Sequence, residues 1–276
     1  MVIVPLPEPY SFDLSLERYR TFGPDPAALW HEGGLHRVFR GVEVRIEAGP
    51  GGVRIEPGRG ELVEDVRRFL GIAFELEGFE GFAAGEPVLA ELVPRLAGLR
   101  PPVVGDPFEA LVGSITAQQV SLYAALAIRT RLVERFGERV GLAWAFPSRE
   151  RVAAAEPEEL VALGFSGRKA EYTVGLARSD LDLDALTALP DEEVKARLVA
   201  LPGIGEWTAD WFLARHLARP DAWPAGDLGL RKAVGRFVLD GRDPSVEETR
   251  TIGERFAPHR NLTAHYLLTG MRVLVP

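Results

Sequence analysis

The stretch LPGIGEWTADWFLARHLARPDAWPAGD, Leu201 to Asp227, decides how the rest of this chain is read. Leu201-Pro202-Gly203-Ile204-Gly205 joins two helical segments, so the three elements form a helix–hairpin–helix. Gly203 and Gly205 permit backbone conformations and close approaches that side chains block. The second helix starts near Glu206, with its free N–H groups and the positive end of its dipole facing the hairpin. Such a helix start binds phosphate with little help from side-chain charge. The plainer account is a glycine-rich turn that only lets two helices pack.

Trp207 and Trp211 lie four residues apart on one helical face. Two indoles can simply fill a core. Beside a phosphate-binding hairpin, though, they also make an aromatic surface suited to a base turned out of a duplex. Asp227 follows the loop Trp223-Pro224-Ala225-Gly226 and opens the next helix as an N-cap. Capping alone accounts for an aspartate there. Returned to the same cleft as Trp207, its carboxylate would instead stabilise positive charge developing on a sugar carbon.

The composition narrows the chemistry further. The 276 residues contain no cysteine, which removes disulfides, iron–sulfur clusters and thiol nucleophiles. Only Lys169, Lys195 and Lys232 are lysines, so a catalytic amine has few candidates. The net charge of -8 argues against bulk attraction to a polyanion, and any nucleic-acid contact rests on local geometry. The five histidines show no metal-ligand spacing, and neither a nucleotide-binding glycine loop nor a serine elbow occurs. The N-terminus has no signal-peptide pattern, and no apolar run suits a membrane span. Together these point to a cytoplasmic protein.

Outward from the hairpin, the chain divides in character at Gly98–Pro107. Before it, LHRVFRG, VEVRIEAG and GVRIEPG alternate apolar and polar residues, with GPGG at 49–52 as a hairpin turn. Val42, Val44 and Ile46 face one side of their strand, and a helix follows in which Leu62, Val66, Phe69 and Leu70 share a face. After the break the pattern is helical almost throughout, with one interruption near Ser114–Ser121. The expected architecture is mainly α: a small α+β N-terminal domain over residues 1–98, then an all-helical region over 99–276 in two subdomains flanking a cleft.

The hairpin, the indoles and Asp227 together resemble the helix–hairpin–helix DNA glycosylase superfamily, marked by L-P-G-[IV]-G and an aspartate about twenty residues on. DPFEALVGSITAQQVS, FGE, FPS, LGFSGRKAEY and LPGIGEWTADWF also match, in order, its bacterial 3-methyladenine DNA glycosylase II (AlkA) branch. The resemblance implies that Asp227 is the catalytic aspartate. Trp207 stands where bifunctional members carry a Schiff-base lysine, so a monofunctional glycosylase without lyase activity is implied. Trp207 and Trp211 match base-pocket positions, and Tyr19 aligns near an N-terminal pocket aromatic. Leu228 and Leu268 replace a tyrosine and a tryptophan of the branch, making the pocket less aromatic. Gln119 matches the side chain that wedges into the gap left by the flipped nucleotide.

Gly203, Ile204 and Gly205 would form the phosphate-binding hairpin. A structural Na+ or K+ would be held by the carbonyls of Val199, Leu201 and Ile204, with no cofactor required. The implied partner is double-stranded DNA containing alkylated bases, met by a bacterial, nucleoid-associated monomer in base excision repair. Two alternatives stay open: a glycosylase for deaminated or oxidised bases, and a non-catalytic damage binder that uses the hairpin alone.

Overall fold

A computed structural model describes residues 1–275 of the chain. The N-terminal part comprises β1 (Val2–Pro5), α1 (Phe12–Ser15), α2 (Glu17–Thr21), β2 (Leu29–His31), β3 (Gly34–Phe39), β4 (Val42–Gly49) and β5 (Gly52–Glu56). Helices α3 (Val63–Phe69), α4 (Leu76–Ala83) and α5 (Pro87–Arg95) follow. The strands form one antiparallel sheet in the order β1-β5-β4-β3-β2. Alternation in β4 works as its sequence predicts: Val44 and Ile46 are buried, whereas Glu43, Arg45 and Glu47 face outward. Leu62, Val66, Phe69 and Leu70 close that core from the helix side. Gly49 pairs with Gly52 across the turn, where Gly51 takes φ 68°.

The remainder comprises α6 (Pro107–Ala117), α7 (Leu122–Phe136), β6 (Glu138–Val140), β7 (Ala143–Ala145), α8 (Arg149–Ala153), α9 (Pro157–Ala162) and α10 (Gly167–Arg178). It ends with α11 (Asp191–Val199), α12 (Glu206–Arg215), α13 (Leu228–Val238), α14 (Val246–Glu254) and α15 (Arg260–Val273). The fold is mainly α with a β-sheet N-terminal part. Asp106 caps α6 through the Glu109 amide at 2.7 Å, with Pro107 at the first helical position. The Gly98–Pro107 break is therefore a helix start as well as a linker.

Two differences from the sequence expectation concern the body. It is not all-helical: β6 and β7 pair as a short antiparallel hairpin, and the Trp144 amide donates to Pro26 O at 2.8 Å. Strands of three residues carry too little alternation to be read from sequence. One of the two helical cores also extends back into the N-terminal part. The first core packs α6 to α12 around Leu111, Ile115, Leu132, Leu198 and Phe212. The second joins α4 and α5 to α13 and α15, so Phe74–Val103 shares a core with Ala218–Leu267. Leu268 packs against both cores.

The sheet is tied to the body by buried charge. Arg37 of β3 donates to Glu109 of α6 at 2.6 Å; Arg129 of α7 reaches Glu109 at 2.6 Å and Asp25 at 2.9 Å. Burial pushes the Glu109 carboxyl up, but Arg37 and Arg129 outweigh it and hold it below the usual carboxylate range. Among the described residues no helix is long and apolar enough to cross a membrane.

Candidate active site

The hairpin between α11 and α12 is built on two different glycines. Gly203 takes φ 81°, and a Cβ there would overlap the Tyr172 ring. Gly205 has an extended conformation with open space around it, and it starts α12 without any side-chain cap. The amides of that first turn therefore have no side-chain cap. Ile204, between the glycines, is buried and anchors the hairpin in the first helical core. Gln118, the last residue of the α6 end, donates from Nε2 to Gly203 O at 2.9 Å and to Thr208 Oγ1 at 3.2 Å. Sequence reasoning missed this tie between the hairpin and the α6–α7 turn, because the partners lie 85 residues apart.

Gln119, one residue on, stands off the helix, exposed and at φ 54°. A non-glycine residue in the left-handed region is strained, and it persists only where its surroundings hold it. Val120, Leu122 and Tyr123 beside it are also exposed, so the turn projects an apolar rim around an amide.

Asp227 caps α13, its Oδ1 accepting from the Leu230 amide at 2.9 Å. Its Oδ2 accepts from both indoles, Trp207 Nε1 and Trp211 Nε1, each at 3.0 Å. The carboxylate is thus fixed by three N–H donors and is half-buried. The tryptophans have a positioning role that sequence spacing does not disclose. They also differ in burial. Trp207 is half-buried against the first core, so the first turn does offer packing; Trp211 is 2% exposed.

The Trp211 face is not bare. Arg215, one turn further along the same face of α12, lays its guanidinium 3.5 Å from the ring centroid. His265 of α15 meets the same indole edge-on at 5.8 Å. Burial, then the charges of Arg215, Arg272 and Arg18, hold His265 well below the usual histidine range, so it is neutral. Burial likewise brings Arg215 down to about 9, with Arg18 and Arg272 acting in the same direction and Asp227 against it. Arg272 pairs with Glu17 at 3.0 Å.

Leu268 borders Asp227, both lying within 3.3 Å of where a Gly229 side chain would begin. Leu228 is 60% exposed at the first turn of α13. Tyr19 of α2 packs on Phe69 at 6.0 Å, close enough to Arg215 to act on its charge. The N-terminal part therefore reaches the site through α2. For the cation expected at the hairpin, the Leu201 carbonyl already accepts from the Ile204 amide at 3.2 Å. No group of three or more His, Asp and Glu is placed to hold a metal among the described residues.

This arrangement joins an uncapped helix start, a strained amide-bearing turn and a carboxylate gripped by two indoles. Over residues 112–259 the sequence matches the model of the HhH-GPD superfamily of base excision DNA repair proteins. The chain belongs to that superfamily. The DNA-3-methyladenine glycosylase of Bacillus subtilis is 29% identical over 217 residues, 76% of this chain and 72% of that protein. A structure described as a 3-methyladenine DNA glycosylase from Archaeoglobus fulgidus superposes with a TM-score of 0.90 at 28% identity, covering 100% of this chain and 99% of that one. An 8-oxoguanine glycosylase/lyase from Clostridium acetobutylicum bound to DNA superposes at 0.80 with 19% identity, covering 95% and 92%; it shares the fold.

Proposed function

We propose that this protein is a monofunctional DNA glycosylase of the AlkA branch. It flips alkylated bases of the 3-methyladenine and 7-methylguanine type out of duplex DNA and hydrolyses their glycosidic bond. The observation that carries this reading is the carboxylate of Asp227, held by Trp207 and Trp211 at 3.0 Å each at the mouth of the hairpin helix. An alkylated purine is a good leaving group, so no strong general acid is needed. As the bond lengthens, the sugar becomes cationic, and a pre-positioned carboxylate stabilises that charge without reorganising. The hairpin amides from Gly203 to Gly205 take the backbone phosphate. Gln119 fills the space the base leaves, and its strained backbone keeps the amide projected. Leu228, Leu268 and Tyr19 border the base.

The absence of lyase activity is supported by the lysines. Lys169 donates to Thr116 O at 3.0 Å, Lys195 pairs with Asp210 at 2.8 Å, and Lys232 is exposed on α13. None occupies the α12 face that Trp207 and Trp211 hold. A monomer with a unit boundary at residues 98/99 completes the proposal, although the core shared by Phe74–Val103 and the C-terminal helices favours a boundary nearer Leu70.

The test is base release followed by strand analysis. On a duplex with one 7-methylguanine, the protein should release the base and leave the strand intact until alkali is added. Strand cleavage without alkali, or a borohydride-trapped adduct, contradicts the monofunctional reading.

A further inference from the structure

Trp207, Trp211 and Arg215 form one ridge along α12, spaced four residues apart. The first two are fixed by Asp227; Arg215 is not. Its Nε is buried without a hydrogen-bond partner, although its Cζ sits 3.5 Å from the Trp211 ring centroid. Arg149, another half-buried arginine of the body, is by contrast satisfied by its neighbours. It donates to the carbonyls of Ala177 and Leu181 and to the Ser179 hydroxyl. Asp227, which acts on Arg215 through space, has its oxygens taken by the indoles and the Leu230 amide.

A positively charged base would gain most from stacking on a bare indole. At Trp211 that place is held by the protein's own guanidinium, with Arg18 and Arg272 nearby. An incoming cation meets like charge, whereas a base with carbonyl or ring-nitrogen acceptors meets a donor.

We propose that Arg215 contacts the departing base and extends the reaction to damaged bases that carry no positive charge of their own. The inference rests on base release dependent on Asp227. A cationic base leaves as a neutral molecule when its bond to C1′ breaks. An uncharged base takes the electron pair of that bond and leaves as an anion. Guanidinium N–H groups stabilise the negative charge where it collects, on the oxygen or ring nitrogen of the base. The water oxygen bonds to C1′, and the proton it loses ends on the base, so the products are the neutral base and the abasic sugar.

The experiment compares two duplexes, one with hypoxanthine (uncharged, with O6 and N7 acceptors) and one with 7-methylguanine. Single-turnover release is measured for the wild-type protein, Arg215→Met, Arg215→Lys and Asp227→Asn. Losing the guanidinium should slow hypoxanthine release about 30-fold, while 7-methylguanine release rises about threefold. Arg215→Lys should keep at least about a tenth of the hypoxanthine rate, because the charge persists. If Arg215→Met is recovered unfolded, Arg215→Gln should shift the ratio in the same direction.

Equal slowing of both bases would reduce Arg215 to packing and overturn the inference, as would wild-type release of 7-methylguanine alone. Asp227→Asn separates the two failures. If it keeps wild-type release, the glycosylase reading itself falls. If it abolishes release while the Arg215 variants leave the ratio unmoved, only the inference about Arg215 falls.

Discussion

Two clusters of buried arginine in this molecule are treated in opposite ways. Where the sheet meets the body, Arg37 and Arg129 share Glu109, and Arg129 also takes Asp25, all within 2.9 Å. Beside Asp227, Arg215 lies over an indole with its Nε unpaired, near Arg18 and Arg272. The first cluster is closed: every charge has an opposite, and its product is a fixed position of the sheet against α6 and α7. The second retains donors that the fold does not use. Buried polar groups without partners destabilise a protein, and the unpaired Nε of Arg215 belongs to the guanidinium over the indole that holds Asp227.

Substitutions should break this contrast in a definite order. The largest effect on stability belongs to Glu109→Ala, which leaves two buried guanidinium groups facing each other. A loss of about 3–5 kcal/mol in chemical denaturation is expected, since breaking a buried pair from one side strands the other charge. Arg215→Met should do the reverse on the same assay and leave stability unchanged or raise it by about 1 kcal/mol. Next comes Trp207→Phe, which keeps a stacking ring but removes one of the two indole donors to Asp227. Base release should slow about tenfold with little change in melting temperature, because one donor to a working carboxylate is lost.

The smallest effect is on pH dependence. Glu109 titrates below its ordinary value of 4.5, so its contribution to stability is complete above 4.5 and is lost as pH falls through the lowered folded value. Acid denaturation should show a steep loss there in the wild type. Glu109→Gln should flatten that part of the curve, and an unchanged curve would remove the closed cluster from the account.

Most of the fold was legible because its signals are local. The period of two in VEVRIE and the shared face of Leu62, Val66, Phe69 and Leu70 both act within a few residues. What escaped was either short or distant. β6 and β7 are too brief to alternate, and the Arg37–Glu109 pair joins residues 72 apart. At the candidate site, the residues were readable but their relations were not. Spacing put Trp207 and Trp211 on one face, yet only the folded chain points both indole N–H groups at one oxygen. The same i, i+4 step that paired the tryptophans continues to Arg215, and following it one turn further would have raised the question from sequence alone. Gln119 was read as a projecting side chain; its left-handed backbone and the Gln118 anchor come from the turn's tertiary setting.

The central claim is that the carboxylate gripped by Trp207 and Trp211 stabilises the sugar cation of the reaction. Single-turnover release of 7-methylguanine from duplex DNA, by the wild-type protein and by Asp227→Asn at matched saturation, tests it most directly. Asn is nearly the same size and still accepts hydrogen bonds, so the variant should bind the duplex and release base at least about 100-fold more slowly. Release by Asp227→Asn within about threefold of wild type would contradict the claim, because an effect that small leaves no room for charge stabilisation.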